Sequence, residues 1–136
     1  MNTHHNQTDT SSIRGAAVVE LAVVLPLLLT IVFGIIEFGW IFMVRETLTN
    51  ASREGCRVAV LQGSTDQNIN DQVAVSIAGA GLTGYTVVIT HSTPGNPTET
   101  VKVSIPYSKV SLVGSYFGPT NFNLSATTFM RKEGAD

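Results

Sequence analysis

Few residues in this chain are placed to do chemistry. Two glutamates, Glu20 and Glu37, stand seventeen positions apart and bracket sixteen residues without a charge, LAVVLPLLLTIVFGII, from Leu21 to Ile36. A carboxylate set against lipid costs roughly 2.5–3.5 kcal/mol at the centre of a span and less towards its edges. Each glutamate therefore predicts a partner. Cys56 is the one cysteine, so no internal disulfide forms. It reads either as a small packed residue or as an intermolecular or reactive thiol. His4 and His5 fall in a polar leader and His91 stands alone, and no His/Cys/Asp cluster has metal-ligand spacing. No glycine-rich phosphate loop follows a strand, and no serine or threonine has a histidine and an acid in a recognisable motif. The residues predict no catalytic group, no cofactor, no metal and no small-molecule substrate, hence no enzyme. Eight basic and ten acidic residues give a net charge of −2. Nothing in that balance suggests a nucleic-acid partner, which would need a clustered basic face.

The elements that position the glutamates come next. Sixteen helical residues reach about 24 Å, short of a hydrocarbon core of about 30 Å. The span must therefore pass Glu20, Glu37 or both, and residues 16–44 are read as one transmembrane helix. Trp40 then falls at interface level. Val44, Leu48, Ala51, Gly55 and Val58 recur at helical spacing, so residues 45–62 continue as an amphipathic helix. Glu37 shares that stripe. Glu37, Val44, Leu48 and Gly55 are accordingly expected to face a partner protein, with Glu37 snorkelling to headgroups as the alternative. Leucine at position 37 is expected to be tolerated in the membrane. Pro26 interrupts one backbone hydrogen bond and predicts a mild kink.

Residues 63–136 read as a small α+β domain. Residues 62–68 form a loop, and Ile69, Val73, Ile77 and Ala80 mark a short helix. Tyr85, Val87 and Ile89 alternate with polar residues, as do Val101, Val103, Ile105 and Tyr107, on either side of a turn at residues 92–97. They predict a hairpin. Phe122, Leu124 and Ala126 begin a last alternating run that ends near Arg131, while Gly114, Gly118 and Pro119 break up residues 108–120. The fold expected is a long N-terminal transmembrane helix extending into a small domain with an antiparallel sheet.

The residues ahead of the span carry a resemblance. Residues 1–15, MNTHHNQTDTSSIRG, are polar and without periodicity, and read as a disordered leader. Arg14-Gly15-Ala16-Ala17-Val18-Val19-Glu20 resembles a type IV prepilin cleavage site, in which a peptidase cuts after glycine and leaves glutamate as the fifth mature residue. Glycine lets the chain lie extended in a protease cleft. The resemblance continues through Leu25-Pro26, FGIIEFG from Phe33 to Gly39, and LTNASREGCR from Leu48 to Arg57. Together these look like the signature of the TadE-like family, minor pseudopilins of the tight-adherence pilus system. Cys56 departs from it, where a small residue such as alanine is expected.

The resemblance implies cleavage between Gly15 and Ala16 by prepilin peptidase, a role for Glu20 in processing or assembly, and other pilins or pilus assembly proteins as partners. It implies a single-pass protein of the bacterial inner membrane, with its C-terminal domain periplasmic or extracellular. An uncleaved membrane-anchored ligand-binding or adaptor domain is the alternative. Arg14 precedes the span while Arg45, Arg53 and Arg57 follow it, so the positive-inside rule points to a cytoplasmic domain. The resemblance points to the opposite orientation, and rests on more residues.

Overall fold

The structure, a computed structural model, describes residues 10–118 and 121–132, with the side chains of residues 10–14, 115 and 117 left aside. Helix α1 runs from Thr10 to Ala59. Helix α2 spans Asp66–Ala78. Strands β1 (Thr86–Thr90), β2 (Thr98–Pro106) and β3 (Asn123–Arg131) follow. The chain divides into two compact units, Met1–Ile36 and Glu37–Asp136.

In the first unit α1 takes in the last six residues of the expected leader, so residues 10–15 are helical rather than irregular. Once an apolar helix exists, adding residues at its end needs no new nucleus, and Thr10–Gly15 contains no proline to stop it. Residues 1–9 lie outside the described residues. From Gly15 to Leu29 every residue is exposed, and the helix is long and apolar enough to cross a membrane. It continues through Pro26, where the Thr30 hydroxyl donates to the Pro26 carbonyl at 2.8 Å.

The second unit is α+β. Its sheet has the order β1-β2-β3, antiparallel throughout. β1 and β2 form the expected hairpin, with Val87 opposite Val103. Its turn closes where the Asn96 amide donates to the Thr93 carbonyl at 2.8 Å, and Gly95 takes φ 92°. Glycine adopts that positive φ without a Cβ clash. β3 flanks β2 on the other side, with Ala126 opposite Val103.

The core gathers one face of α1 (Val44, Leu48, Ala51, Cys56, Ala59), one face of α2 (Ile69, Val73, Ile77) and the inward residues of β2 (Val101, Val103, Ile105). The domain therefore begins at Glu37 rather than at residue 63, and takes the second half of α1 as its central helix. The stripe read as a surface for a partner protein is filled by the chain's own sheet and second helix. The reason is area: three short strands and a 13-residue helix cannot bury a core without a further apolar face. Gly55 marks the closest approach, since a Cβ there would sit 2.7 Å from Val73 Cγ2 and 3.3 Å from Val101 Cγ1.

α2 begins at Asp66, within the expected loop. Thr65 caps it: its hydroxyl accepts from the Asn68 amide, and the Asn68 side chain accepts from the Thr65 amide. Asparagine at that position replaces the usual glutamate or glutamine of a capping box, which hid the start.

Candidate functional site

The principal polar site of the domain is built on Glu37, which is only 2 % exposed. Its Oε1 accepts from the Tyr107 hydroxyl and the Ser111 hydroxyl, each at 2.7 Å. Its Oε2 accepts from the backbone amides of Leu112 at 2.9 Å and Val113 at 3.2 Å. Two successive amides aimed at one oxygen form a nest that suits an anion. Tyr107 and Ser111 reach it because Pro106 ends β2 and the chain turns through a 3-10 stretch at Tyr107–Lys109. One turn further along α1, the indole of Trp40 donates to the Val110 carbonyl at 2.6 Å. The Tyr107 ring stacks on Phe122 at 4.6 Å. Donation to Glu37 raises the pKa of the Tyr107 hydroxyl above its ordinary value, since losing that proton would set two anions together.

A second buried carboxylate, Glu99, is fully enclosed at the start of β2. It accepts from Ser92 Oγ at 2.9 Å, His91 Nδ1 at 3.0 Å and Lys132 Nζ at 3.4 Å. The other ring nitrogen of His91 meets Asp66 Oδ1 at 2.8 Å. Burial alone would raise the pKa of Glu99. The Ser92 amide and hydroxyl, His91 and Lys132 outweigh it and hold the carboxyl below its ordinary value. This cluster ties the start of α2, the β1–β2 connection and the end of β3 together.

Cys56 is the packed residue of the two sequence readings. It is fully buried, its thiol lies 3.5 Å from the Glu99 carbonyl, and burial raises its pKa. A buried thiol of that kind is a poor nucleophile. Among the described residues, no group of three or more His, Cys, Asp or Glu could hold a metal ion.

Of the sequence-predicted site residues, Gly15, Ala16 and Glu20 lie exposed on the apolar part of α1, and no side chain crowds Gly15. Val44 and Leu48 are fully buried and Gly55 is buried between α2 and β2. Glu37 does have the partners its position demanded, but the structure shows them within its own chain. Trp40 is half-buried against the core. The sequence reading missed Tyr107 and Ser111 as donors and Glu99 as a core carboxylate. A signal existed for Glu99: it shares strand parity with Val101, Val103 and Ile105 and so had to face inward.

Comparison with known proteins bears on the helix that carries Glu37. A family model described as TadE-like protein matches residues 15–57. This segment is similar to TadE-like proteins. The match begins at Gly15 and takes in Glu20, Glu37 and the buried face from Val44 to Cys56, about a third of the chain. The matched residues include the helix that is long and apolar enough to cross a membrane. No curated protein and no solved structure matches the chain.

Proposed function

We propose that this chain is a minor pseudopilin, a non-enzymatic structural or assembly component of a tight-adherence pilus. On this reading prepilin peptidase cuts it between Gly15 and Ala16 and it remains in the inner membrane by one helix, with the domain outside the cytoplasm. The observation that carries the proposal is the TadE-like match that starts at Gly15. The Glu37 site supports it from the other end of the span. Because that carboxylate is satisfied inside the domain, the membrane segment need not extend past it. A span from Ala16 to Ile36 then reaches about 31 Å, the thickness of a hydrocarbon core. It contains Glu20, and the amino group freed at Ala16 is the nearest cation that could neutralise it.

The test is N-terminal sequencing of the chain extracted from membranes of cells with active prepilin peptidase. A chain beginning at Ala16 is expected, and Gly15→Leu should leave it uncut. An intact chain beginning at Met1 in those cells would refute the proposal. Orientation is tested separately, with a cysteine at exposed Thr93 in a Cys56→Ala background. It should react with a membrane-impermeant thiol reagent once the outer barrier is opened. Labelling only after inner-membrane lysis would place the domain in the cytoplasm, as the arginine count suggests.

A further inference from the structure

The domain has two outer surfaces of opposite charge. Helices α1 and α2 cover the face of the sheet on which Val101, Val103 and Ile105 are buried, and the alternate residues of each strand point away from them. On that outward face the charges are Lys102 and Arg131, both positive. The one carboxylate of the three strands, Glu99, is buried on the inner side. α2 is the reverse, since it contains Asp66 and Asp71 and no lysine or arginine. Its face towards the core holds Ile69, Val73 and Ile77, so Asp71, Val75 and Ala78 point the other way. Asp66 meets His91, whereas Asp71 accepts from Gln67 one turn back and is exposed. Each of the two surfaces also carries an apolar side chain largely in water. These are Val75 on α2 and Phe129 on the sheet, each 71 % exposed.

The spacing of charge and apolar group matches too. Asp71 and Val75 are one helical turn apart, about 5–6 Å between their Cβ atoms. Lys102 pairs with Thr127, so Phe129 is its diagonal neighbour across β2 and β3, about 7–8 Å away. Arg131 stands two residues beyond Phe129 on the same face, about 7 Å along the strand. We infer that copies of this chain stack front to back, the outward side of α2 in one seated on the outward face of the sheet in the next. Val75 then meets Phe129, and Asp71 meets Lys102 and Arg131. A second copy is the occupant because the acidic, partly apolar surface that complements the sheet is present on the chain itself. The contact is heterologous, since each copy offers one surface and receives the other, so it extends into an open row. Copies displaced in this way without rotation keep their α1 helices parallel, as chains sharing one membrane must be. The inference rests on the reading of α1 as a membrane anchor, which confines the copies. The 13 residues of α2 make a helix about 20 Å long and about 10 Å wide, which covers roughly 200 Å² of sheet. Each partner in a standard interface buries about 800 Å². A contact this small holds only at the high effective concentration that confinement supplies.

The experiment uses the full chain with Cys56→Ala, reconstituted in phosphatidylcholine vesicles at several chains per vesicle. One preparation carries Val75→Cys and another Phe129→Cys, and disulfide formation is compared in each alone and in vesicles holding both. Flotation reports the anchor, and Trp40, the only tryptophan, reports folding. Vesicles holding both are expected to give several-fold more disulfide-linked dimer than either variant alone. Asp71→Lys in the first chain or Lys102→Glu in the second should each lower that yield several-fold, and the two reversals together should restore it in part. A folding defect in one chain is not cured by a change in the other, so the rescue separates contact from misfolding. Floating chains whose mixed yield is no greater than the single yields would overturn the inference and leave the anchor intact. Yields indifferent to both charge reversals would overturn it as well. Shielding of the cysteine at 129 by added dextran sulfate, with no 75–129 bond in its absence, would give the face to a different polyanion and overturn it too. Chains that fail to float would overturn the anchor and the stack together.

Discussion

Glu37 is a charge whose removal should do harm. Leucine there would spare the lipid penalty argued from sequence, but in the structure it would strip the acceptor from four donors: two hydroxyls and two amides. A buried donor left unsatisfied costs about 1–3 kcal/mol. Glu37→Leu should therefore lower the stability of the domain markedly, with Glu37→Gln intermediate because it keeps one acceptor oxygen. Tyr107→Phe removes one charge-assisted bond, worth about 1.5–3 kcal/mol. Urea unfolding of the detergent-solubilised chain, followed by Trp40 fluorescence, checks the order. A leucine variant as stable as the native chain would show that the loop finds other acceptors. Glu99 makes a prediction in pH. Its folded pKa lies below the unfolded value of about 4.3, so its contribution is complete above that value and is lost as pH falls through the folded pKa. Acid unfolding should show this loss, and Glu99→Gln should flatten it while lowering stability at neutral pH. An unchanged acid slope in that variant would mean that other carboxylates govern the transition.

At the scale of elements, α1 and α2 meet where there is no room for a side chain. Gly55→Ala gains about 1 kcal/mol in helix propensity. Against this, the new Cβ meets Val73, whose branched side chain has little freedom to move, and overpacking of this kind costs about 1–3 kcal/mol. The expected net effect is a loss near 1 kcal/mol, seen as a lower urea midpoint, and a gain would mean that α2 slides freely. Thr65→Ala should cost about 1 kcal/mol through the lost cap, measured in the same way.

These contacts also show what the sequence could tell. An uncharged run located the first half of α1, and periodicity located its second half, α2 and all three strands, because each of these has one apolar face whose spacing identifies the element. It could not say which surface would meet the stripe of Val44, Leu48 and Gly55. A helix face carries no mark of whether its partner is another chain or a sheet later in its own chain. For the same reason Glu37 was legible as a carboxylate in need of donors, whereas Tyr107 and Ser111 were not legible as those donors. They lie in a stretch where glycines erase periodicity and 3-10 turns set direction. The TadE-like segment was legible because its motif is local and linear.

At the scale of the whole molecule, the described structure combines an apolar helix with the length of a membrane anchor and a domain whose core begins at Glu37. The bonds that satisfy Glu37 come from residues 70 to 76 positions later in the chain. This separation has a consequence in time. A ribosome adding 5–20 residues per second needs roughly 4–15 s to make the chain between the acceptor and its last donor. Until Tyr107 is made, the carboxylate has none of its final donors. The nascent protein thus passes through a stage with an unsatisfied anion at the end of its apolar helix, and completion of residues 107–113 ends that stage. A chain stalled before Tyr107 would keep its acid uncovered, giving quality control a chemical difference between a finished subunit and an unfinished one.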